Sequence, residues 1–529
     1  MNNISRRDFL KGAVASALSV GVLGSAVAMA DGEDAAAEEV LVPSVTLDTD
    51  VAIIGAGAAG LTASMGIVDA GLKCIVVEKG GSVGVCNASM AGGPAMANTC
   101  VQKAEGEEVS VETLFKYMYD FSNMTVNGNL LRSVIGCSGE TVDKMVDVGV
   151  EMYLRQDVYG AGFRARHGFN KGGVDRFAPI QAYVEGKGSE FLFNNAAAQL
   201  VKDDAGKVTG VLTVAEDGTV TQINAKAVLV ATGGYLGNED MIHEHFGNIK
   251  LNPLGNTKSD GAGINMVLGA GGIKDRNWAI CGNEFAGSNQ KAGGWWFNFN
   301  QNFKWPIYGG LLVNRNGDRF MNEEIFAKKA LSLGGEASVR EGLFYSVIDE
   351  KYMQGVAEKG IVEYLGGNLE NWYVGVMSIG DAKLDQAPST IDEAVEQGWG
   401  FKADTIEELA EHFGLTNLPE TVKAYNEACA TGMDEQFYKD PMFLKAVDEG
   451  PFYVFEYEPS AWCTFGGVKV DNKLRAMTPD QTVIEGLYVA GVDAGSMYTS
   501  PYYINEGATL GLSFSSGTYA AKKIAEYLA

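Results

Sequence analysis

Paired cysteine motifs are absent from this 529-residue chain. Its seven cysteines stand apart at positions 74, 86, 100, 137, 281, 429 and 463, with no Cys-x-x-Cys and no Cys-x-x-Cys-His. That excludes an attached c-type haem and leaves no iron–sulfur or zinc pattern. Most of these thiols read as small buried apolar groups. Histidine is scarce, with only His167, His243, His245 and His412. No third ligand accompanies His243 and His245, so no metal site is expected; these two and His412 read as surface residues. Basic charge is also short: 41 Lys and Arg stand against 67 Asp and Glu, for a formal net charge of −26. A chain that acidic repels nucleic acid and anionic lipid.

No segment beyond the first 30 residues is apolar and long enough to span a bilayer. At the N-terminus, Ser5-Arg6-Arg7-Asp8-Phe9-Leu10-Lys11 precedes a weakly apolar run from Gly12 to Val27, and Ala28-Met29-Ala30 offers a cleavage site. This resembles a twin-arginine export signal. Removal of residues 1–30 takes away a net charge of +2 and leaves a soluble mature chain at −28, placed in the periplasm or extracytoplasmic cell envelope. Residues 31–47 are acidic and alanine-rich and read as a flexible tether.

The richest signal follows. Asp50-Val-Ala-Ile-Ile-Gly-Ala-Gly-Ala-Ala-Gly60 runs an apolar strand into Gly55, Gly57 and Gly60, and Cys74-Ile-Val-Val-Glu-Lys79 ends a second strand on Glu78. Together they form a dinucleotide fingerprint. Gly55 permits the tight turn, Gly57 lets the backbone approach a pyrophosphate, and Gly60 lets helix and strand pack closely. Glu78 can accept from a ribose hydroxyl, and the N-terminus of a helix opening at Ala58 and Ala59 faces the phosphates. No second fingerprint exists for a nicotinamide cofactor, since Gly160-Ala-Gly162 and Gly269-Ala-Gly-Gly272 lack the strand and the acid and read as turns.

Residues 48–274 alternate strand-like and helix-like patterns, as a doubly wound Rossmann-like α/β domain does. Within them Val208 to Val214 and the run from Val220 look like a hairpin, and that run ends as a buried strand on Ala231-Thr-Gly-Gly234. Further on, Trp295-Trp-Phe-Asn-Phe-Asn-Gln-Asn-Phe-Lys-Trp-Pro-Ile-Tyr308 is rich in aromatics without a steady period. It is expected as an irregular loop near a cleft, fit for a flat apolar or aromatic substrate.

With Gly80-Gly81, Ser89-Met-Ala-Gly-Gly93, Ser259-Asp-Gly-Ala-Gly-Ile264, Leu311 to Glu323, Thr464-Phe-Gly-Gly-Val468 and Gly486-Leu-Tyr-Val-Ala-Gly491, nearly all the mature chain resembles the fumarate reductase and 3-ketosteroid dehydrogenase superfamily of FAD flavoproteins. The resemblance implies an FAD-binding domain built from both chain ends, about 48–274 and 456–529. An α+β capping domain would be inserted at about 275–455, with substrate held between them. It implies non-covalent FAD contacted by Gly55, Gly57, Ala58, Ala59, Gly60, Glu78, Lys79, Ser89, Gly92, Gly93, Ala231, Thr232, Gly233, Asp260, Gly491, Asp493, Thr509 and Leu510. Cys86 stands where membrane-bound relatives carry a flavin-linked histidine.

Departures from the family pattern narrow the chemistry. Fumarate reductases carry an arginine four residues after the Asn-Glu of the capping block, a histidine before Thr-x-Gly-Gly and an arginine before the last Leu-Gly. Here those positions hold Ala327, Cys463 and Thr509, so fumarate is not the expected substrate. Tyr503-Ile-Asn-Glu-Gly507-Ala-Thr-Leu-Gly511 instead resembles the ketosteroid dehydrogenase pattern, in which the tyrosine hydroxyl and the glycine N–H hold a substrate carbonyl oxygen. The implied catalytic group is Tyr503 and Gly507, with Tyr502 and Arg166 beside them. The proton donor stays open among Tyr503, Tyr502, Lys328, Lys329 and the Arg164-Ala-Arg-His167 cluster. The expected activity is that of an exported FAD-dependent oxidoreductase, a reductase passing hydride from flavin N5 to an activated carbon–carbon double bond of an apolar or aromatic enone-type substrate in an anaerobic respiratory setting. Electrons would come from a separate partner such as a membrane-linked cytochrome or flavin carrier. A dehydrogenase run in the desaturating direction and a non-catalytic flavoprotein shuttle are the alternatives.

Overall fold

The strand Val45–Ile54 carries the chain into its core, and its second half, Val51 to Ile54, is at most 3 % exposed. A strand covered on both faces must be apolar in this continuous way. It pairs in parallel with Cys74–Val77 on one side and along nearly all its length with Val220–Val230 on the other. The computed structural model describes residues 41–157, 161–247, 249–281, 284–288, 305–328, 332–366, 387–503 and 505–529. Residues 1–30, expected as an export signal, the expected tether up to residue 40, Lys329 and Trp295 to Lys304 lie outside them.

Among the described residues the first sheet has eight strands, in the order Arg475–Met477, Val483–Val489, Val220–Val230, Val45–Ile54, Cys74–Val77, Glu190–Leu192. The antiparallel hairpin Val208–Ala215 joins Val220–Val230, with Val214 opposite Val220, and Asn195–Lys202 adds on beyond it. Both ends of the chain therefore build this sheet. The expected tether stops short of Leu47: Val45, Thr46 and Leu47 pair with Thr221, Gln222 and Ile223. The long Val220–Val230 strand offers backbone groups there that would otherwise go unpaired.

Small residues let the helices Ala58–Asp69 and Ala508–Leu528 cross closely. A Cβ on Gly517 would meet Ala59 O at 2.1 Å and one on Gly66 would meet Ala521 Cβ at 2.6 Å, while Thr62 Oγ1 donates to Phe514 O at 2.7 Å. The last helix is thus fixed against the first glycine turn.

A second sheet runs Glu284–Gly287, Phe452–Ala461, Phe344–Asp349, Leu311–Val313 in antiparallel order, and Gly400–Ala403 and Asn252–Pro253 also pair with Phe452–Ala461. Side chains alternate as a pleat requires. Leu311, Val313, Tyr345 and Val347 face a core with Leu409, Leu418 and Val422. Leu312, Phe344 and Ile348 face another with Trp305, Tyr352 and Ile391. The boundary expected between 455 and 456 falls inside the continuous strand Phe452–Ala461, because its buried run contains no turn signal at that point. Trp305 and Tyr308, the described aromatic end of the Trp295 to Tyr308 stretch, are core residues at 1 % and 6 % exposure. Trp305 Nε1 donates to Thr390 Oγ1 at 3.2 Å; these two rings pack and do not line an open cleft. Among the described residues no helix is long and apolar enough to cross a membrane, and no group of three or more His, Cys, Asp or Glu is placed to hold a metal ion.

Candidate active site

The first strand ends at Gly55 with φ +105°, where a Cβ would meet Ala231 O at 2.3 Å; at Gly60 it would meet Gly55 O at 1.9 Å. Only glycine fits either position. Gly57 is the reverse case. The nearest atom to a Cβ there is Cys86 Cβ at 3.9 Å, so this face of the turn is open to a pyrophosphate, with the helix opening at Ala58 and Ala59 behind it. Glu78 is 9 % exposed and doubly anchored: Oε2 accepts from Ala56 N at 2.9 Å and Oε1 from Gly80 N at 2.6 Å. Lone pairs remain on that fixed carboxylate for ribose hydroxyls. The residues therefore fit a dinucleotide. Glu78→Ala should weaken FAD retention by about 1–3 kcal/mol through unpaired hydroxyls, read as a higher Kd in apoprotein titration followed by flavin fluorescence; an unchanged Kd would remove Glu78 from the cofactor site.

Other expected cofactor positions gather round the same turn, several as supports. Lys79 pairs with Asp260 at 2.9 Å, and Asp260 Oδ1 accepts from Ala262 N at 3.3 Å. The fully buried Asp493 accepts from Thr232 N, from Thr232 Oγ1 at 2.8 Å and from Gly234 N at 2.7 Å, so its carboxylate braces the Ala231-Thr232-Gly233 turn. Gly491, at φ +67°, donates its N–H to Ser516 Oγ at 2.9 Å. Ser89 Oγ turns back onto Gly84 O at 2.6 Å and Cys86 O at 2.8 Å. Burial pushes the Cys86 thiol up to about 11, so it keeps its proton at neutral pH. Sequence reasoning missed Arg176, whose Nη1 holds Ala88 O at 2.5 Å and Ala91 O at 2.9 Å. No local motif marks it.

Gly92, Gly93, Arg166 and Gly507 also come together. A Cβ on Gly92 would meet Arg166 Nη2 at 2.3 Å, one on Gly93 would meet His167 O at 1.8 Å, and one on Gly507 would meet Gly93 O at 2.4 Å. Arg166 forms an ion pair with Glu506, a partner the sequence reading did not name. Arg164 is engaged elsewhere, by Glu105 and Glu107 at 2.9 Å each. His167 is fully buried, bonded to Thr99 Oγ1 at 2.8 Å and Ala165 O at 2.9 Å, and so is a core group and not an exposed acid. Desolvation lowers its pKa from 6.5 to about 4. A base that resists protonation when folded contributes stability fully above the unfolded value, and that contribution drains as pH falls from about 6.5 to about 4. Urea midpoints should fall across that window in the parent and less steeply in His167→Asn; parallel profiles would exclude His167 as the source.

The expected clamp of Tyr503 and Gly507 is not assembled. Tyr503 is 1 % exposed and donates its single hydroxyl proton to Met497 O at 2.8 Å, because the ring is drawn into the core near Phe121. Tyr502 takes the position at the helix terminus: its buried Oη accepts from Thr509 N at 3.2 Å, and its ring lies 5.5 Å from that of Phe465. Burial, then the neighbouring thiols Cys281 and Cys463, push its phenol well above the usual range, so it holds its proton at neutral pH. Beside it Thr509 Oγ1, Asn505 Oδ1 and Asn505 Nδ2 are buried without hydrogen-bond partners among the described residues. Unpaired buried polar groups in one place ask for a ligand or water. Leu510, next along this helix, is 9 % exposed.

Remaining candidates fall elsewhere. Ala327 is fully buried in the core of the second sheet, and Lys328 pairs with Glu324 at 2.9 Å. His245, expected on the surface, stacks on Trp278 with ring centroids 3.6 Å apart, since the indole offers its flat face to a half-buried ring.

Residues 50–510 match the family model described as FAD binding domain. The chain belongs to that family. Its cofactor is FAD, and it is an FAD-dependent oxidoreductase. It is 29 % identical to a vinyl phenol reductase of Lactiplantibacillus plantarum, covering 90 % of this chain and 96 % of the relative. A fumarate reductase (cytochrome) of Shewanella frigidimarina is 26 % identical, over 88 % and 76 %, and a urocanate reductase of Eggerthella lenta 25 %, over 85 % and 70 %. In fold the chain is similar to the open conformation of a flavocytochrome c3 fumarate reductase, with TM-score 0.65 at 21 % identity over 92 % of this chain and 79 % of that one. A 3-ketosteroid-Δ4-(5α)-dehydrogenase from Rhodococcus jostii gives TM-score 0.63 at 20 % identity, over 92 % and 99 %.

Proposed function

We propose that this protein is an exported reductase of activated carbon–carbon double bonds in apolar or aromatic substrates, with the carbonyl or equivalent oxygen of the substrate held by Tyr502. The observation that carries this reading is the Tyr502 hydroxyl, fixed by Thr509 N beside the unpaired Thr509 Oγ1 and Asn505 amide. Bound FAD supplies the hydride. Tyr502 donates to the substrate oxygen as charge moves onto it, the helix terminus at Gly507 adds positive potential, and Arg166, held by Glu506, adds a fixed cation. Water is kept out by the buried rings of Phe465, Tyr498 and Tyr503. The vinyl phenol reductase likeness favours an aryl-conjugated double bond. In this reading residues 1–30 are the export signal, a separate membrane-linked cytochrome or flavin carrier brings electrons, and the parts at about 48–274 and 456–529 bind FAD under a cap at about 275–455.

The test is a steady-state assay with reduced viologen against vinylphenols, cinnamates, enones, steroids, urocanate and fumarate. An aryl-conjugated or enone substrate should turn over, and fumarate should neither turn over well nor bind tightly, because Ala327, Cys463 and Thr509 replace the family's dicarboxylate-binding groups. Rapid flavin reoxidation by fumarate, comparable with the best enone, would overturn the substrate assignment. Uniform inactivity with reducible FAD would point to an electron shuttle.

A further inference from the structure

Two cysteines meet at the end of a short ladder next to Tyr502. The strands Ala279–Ile280 and Thr464–Phe465 run antiparallel with Ala279 opposite Phe465 and Ile280 opposite Thr464, so one further step sets Cys281 opposite Cys463. The backbone hydrogen bonds agree. Cys281 N donates to Cys463 O at 2.8 Å, and Cys281 O accepts from Trp462 N at 3.2 Å, the two-against-one pattern of a β-bulge. Opposed residues of an antiparallel pair place their Cβ atoms on one face with Cα atoms about 4.5–5.5 Å apart, inside the roughly 4.4–6.8 Å that a disulfide spans. Neither residue is in a disulfide here. Their exposures differ usefully: Cys463 is partly exposed and Cys281 is 8 % exposed. Phe465, two residues on from Cys463 in this ladder, has its ring 5.5 Å from that of Tyr502, so the pair sits next to the candidate active site on a fold-determined register.

We propose that Cys281 and Cys463 form a redox-active dithiol that a low-molecular-weight disulfide converts to a reversible bridge beside Tyr502. The Cys463 thiolate attacks one sulfur of the small disulfide, forming a mixed disulfide and releasing one thiolate. Cys281, on giving up its proton to solvent, attacks Cys463 Sγ and releases the second. Two protein thiols lose two protons and two electrons, and the small disulfide becomes two thiols, so the exchange balances without metal or flavin. Exposure sets the order, since the thiol that the reagent reaches first is Cys463. The bridge would pin the segment that leads from the second sheet into Thr464-Phe465-Gly466-Gly467. The pairing stands independently of which substrate Tyr502 holds.

The experiment uses the FAD-loaded protein, reduced, desalted and incubated with oxidised glutathione. Remaining thiols are blocked with N-ethylmaleimide, and the protein is digested without reduction for mass spectrometry. The expected result is one peptide pair joining Cys281 to Cys463, lighter by two hydrogens than the two reduced peptides together, with both thiols lost to alkylation, dithiothreitol restoring them and the flavin retained throughout. In Cys281→Ser the reaction should stop at a stable glutathione adduct on Cys463; Cys281→Ala serves if the serine protein does not fold. A stable glutathione adduct on Cys463 of the parent protein, a bridge from Cys463 to any other cysteine, or full alkylation of both thiols would each overturn the proposal. None of these readouts depends on turnover, so an inactive enzyme and an absent dithiol remain distinguishable.

Discussion

Arg319→Ala is expected to cost about 3–5 kcal/mol of folding stability, the range for removing one partner of a buried ion pair. Arg319 grips Glu323 at 3.0 and 2.8 Å and Asp434 at 2.9 and 3.0 Å. Lys439 closes the group on Glu323 at 3.3 Å and on the Tyr425 hydroxyl at 2.9 Å. All four charged side chains are at most 6 % exposed, and two cations balance two anions. Without Arg319, two carboxylates would share one ammonium where water cannot help. Urea denaturation of the purified protein measures the loss; a change below about 1 kcal/mol, the scale of an exposed pair, would show that water reaches the network. Arg319→Met with Asp434→Leu removes one charge of each sign and should be milder than the sum of the single changes. Acid acts on the same group. Burial works to raise the Asp434 carboxyl, yet the Arg319 hydrogen bonds and charge hold it down at about 2. A carboxyl depressed in the folded state contributes stability that is complete above about pH 4 and lost as pH falls toward 2, so the acid limb should be shallower in Arg319→Ala.

Half of that network was visible in the sequence and half was not. Arg319 and Glu323 fall within the block Leu311 to Glu323, whose order of residues identifies it, whereas Asp434 and Lys439 belong to no motif and reach Arg319 only because the second sheet folds the chain back. The glycine turn shows the same division. Gly55, Gly57, Gly60 and Glu78 are local, and backbone sterics alone dictate them. Arg176 and Ser516 support the same pocket from far along the chain and carry no spacing signal. The strand that crosses the expected domain edge was hidden for a related reason: Phe452–Ala461 runs straight through residues 455 and 456, and pairing, which is non-local, decides where a strand ends. Tyr503 was named ahead of Tyr502 because a motif offset counts residues and does not report which hydroxyl of two adjacent buried rings is already committed to a backbone carbonyl. On the proposed reading the donor is Tyr502, one residue from the position that the motif offset names, because the Tyr503 hydroxyl is bonded to Met497 O while that of Tyr502 meets Thr509 N.

Tyr502→Phe should therefore slow the reaction of reduced flavin with the double-bond substrate by about 10²-fold or more, the effect of removing one preorganised oxyanion donor. FAD affinity and the rate of flavin reduction by viologen should stay near the parent values, because the lost hydrogen bond strengthens only as the substrate oxygen gains charge and so belongs to the transition state. The ring is retained, which keeps the packing against Phe465. Tyr503→Phe is the contrasting case. It leaves Met497 O without its donor in a buried site, a cost of about 1–3 kcal/mol in stability, while the substrate half-reaction should hardly change. Stopped-flow measurement of the two half-reactions separates the tyrosines. A selective loss in Tyr503→Phe with Tyr502→Phe unaffected would return the carbonyl clamp to Tyr503 and Gly507, and would require the Tyr503 hydroxyl to leave Met497 O when substrate binds.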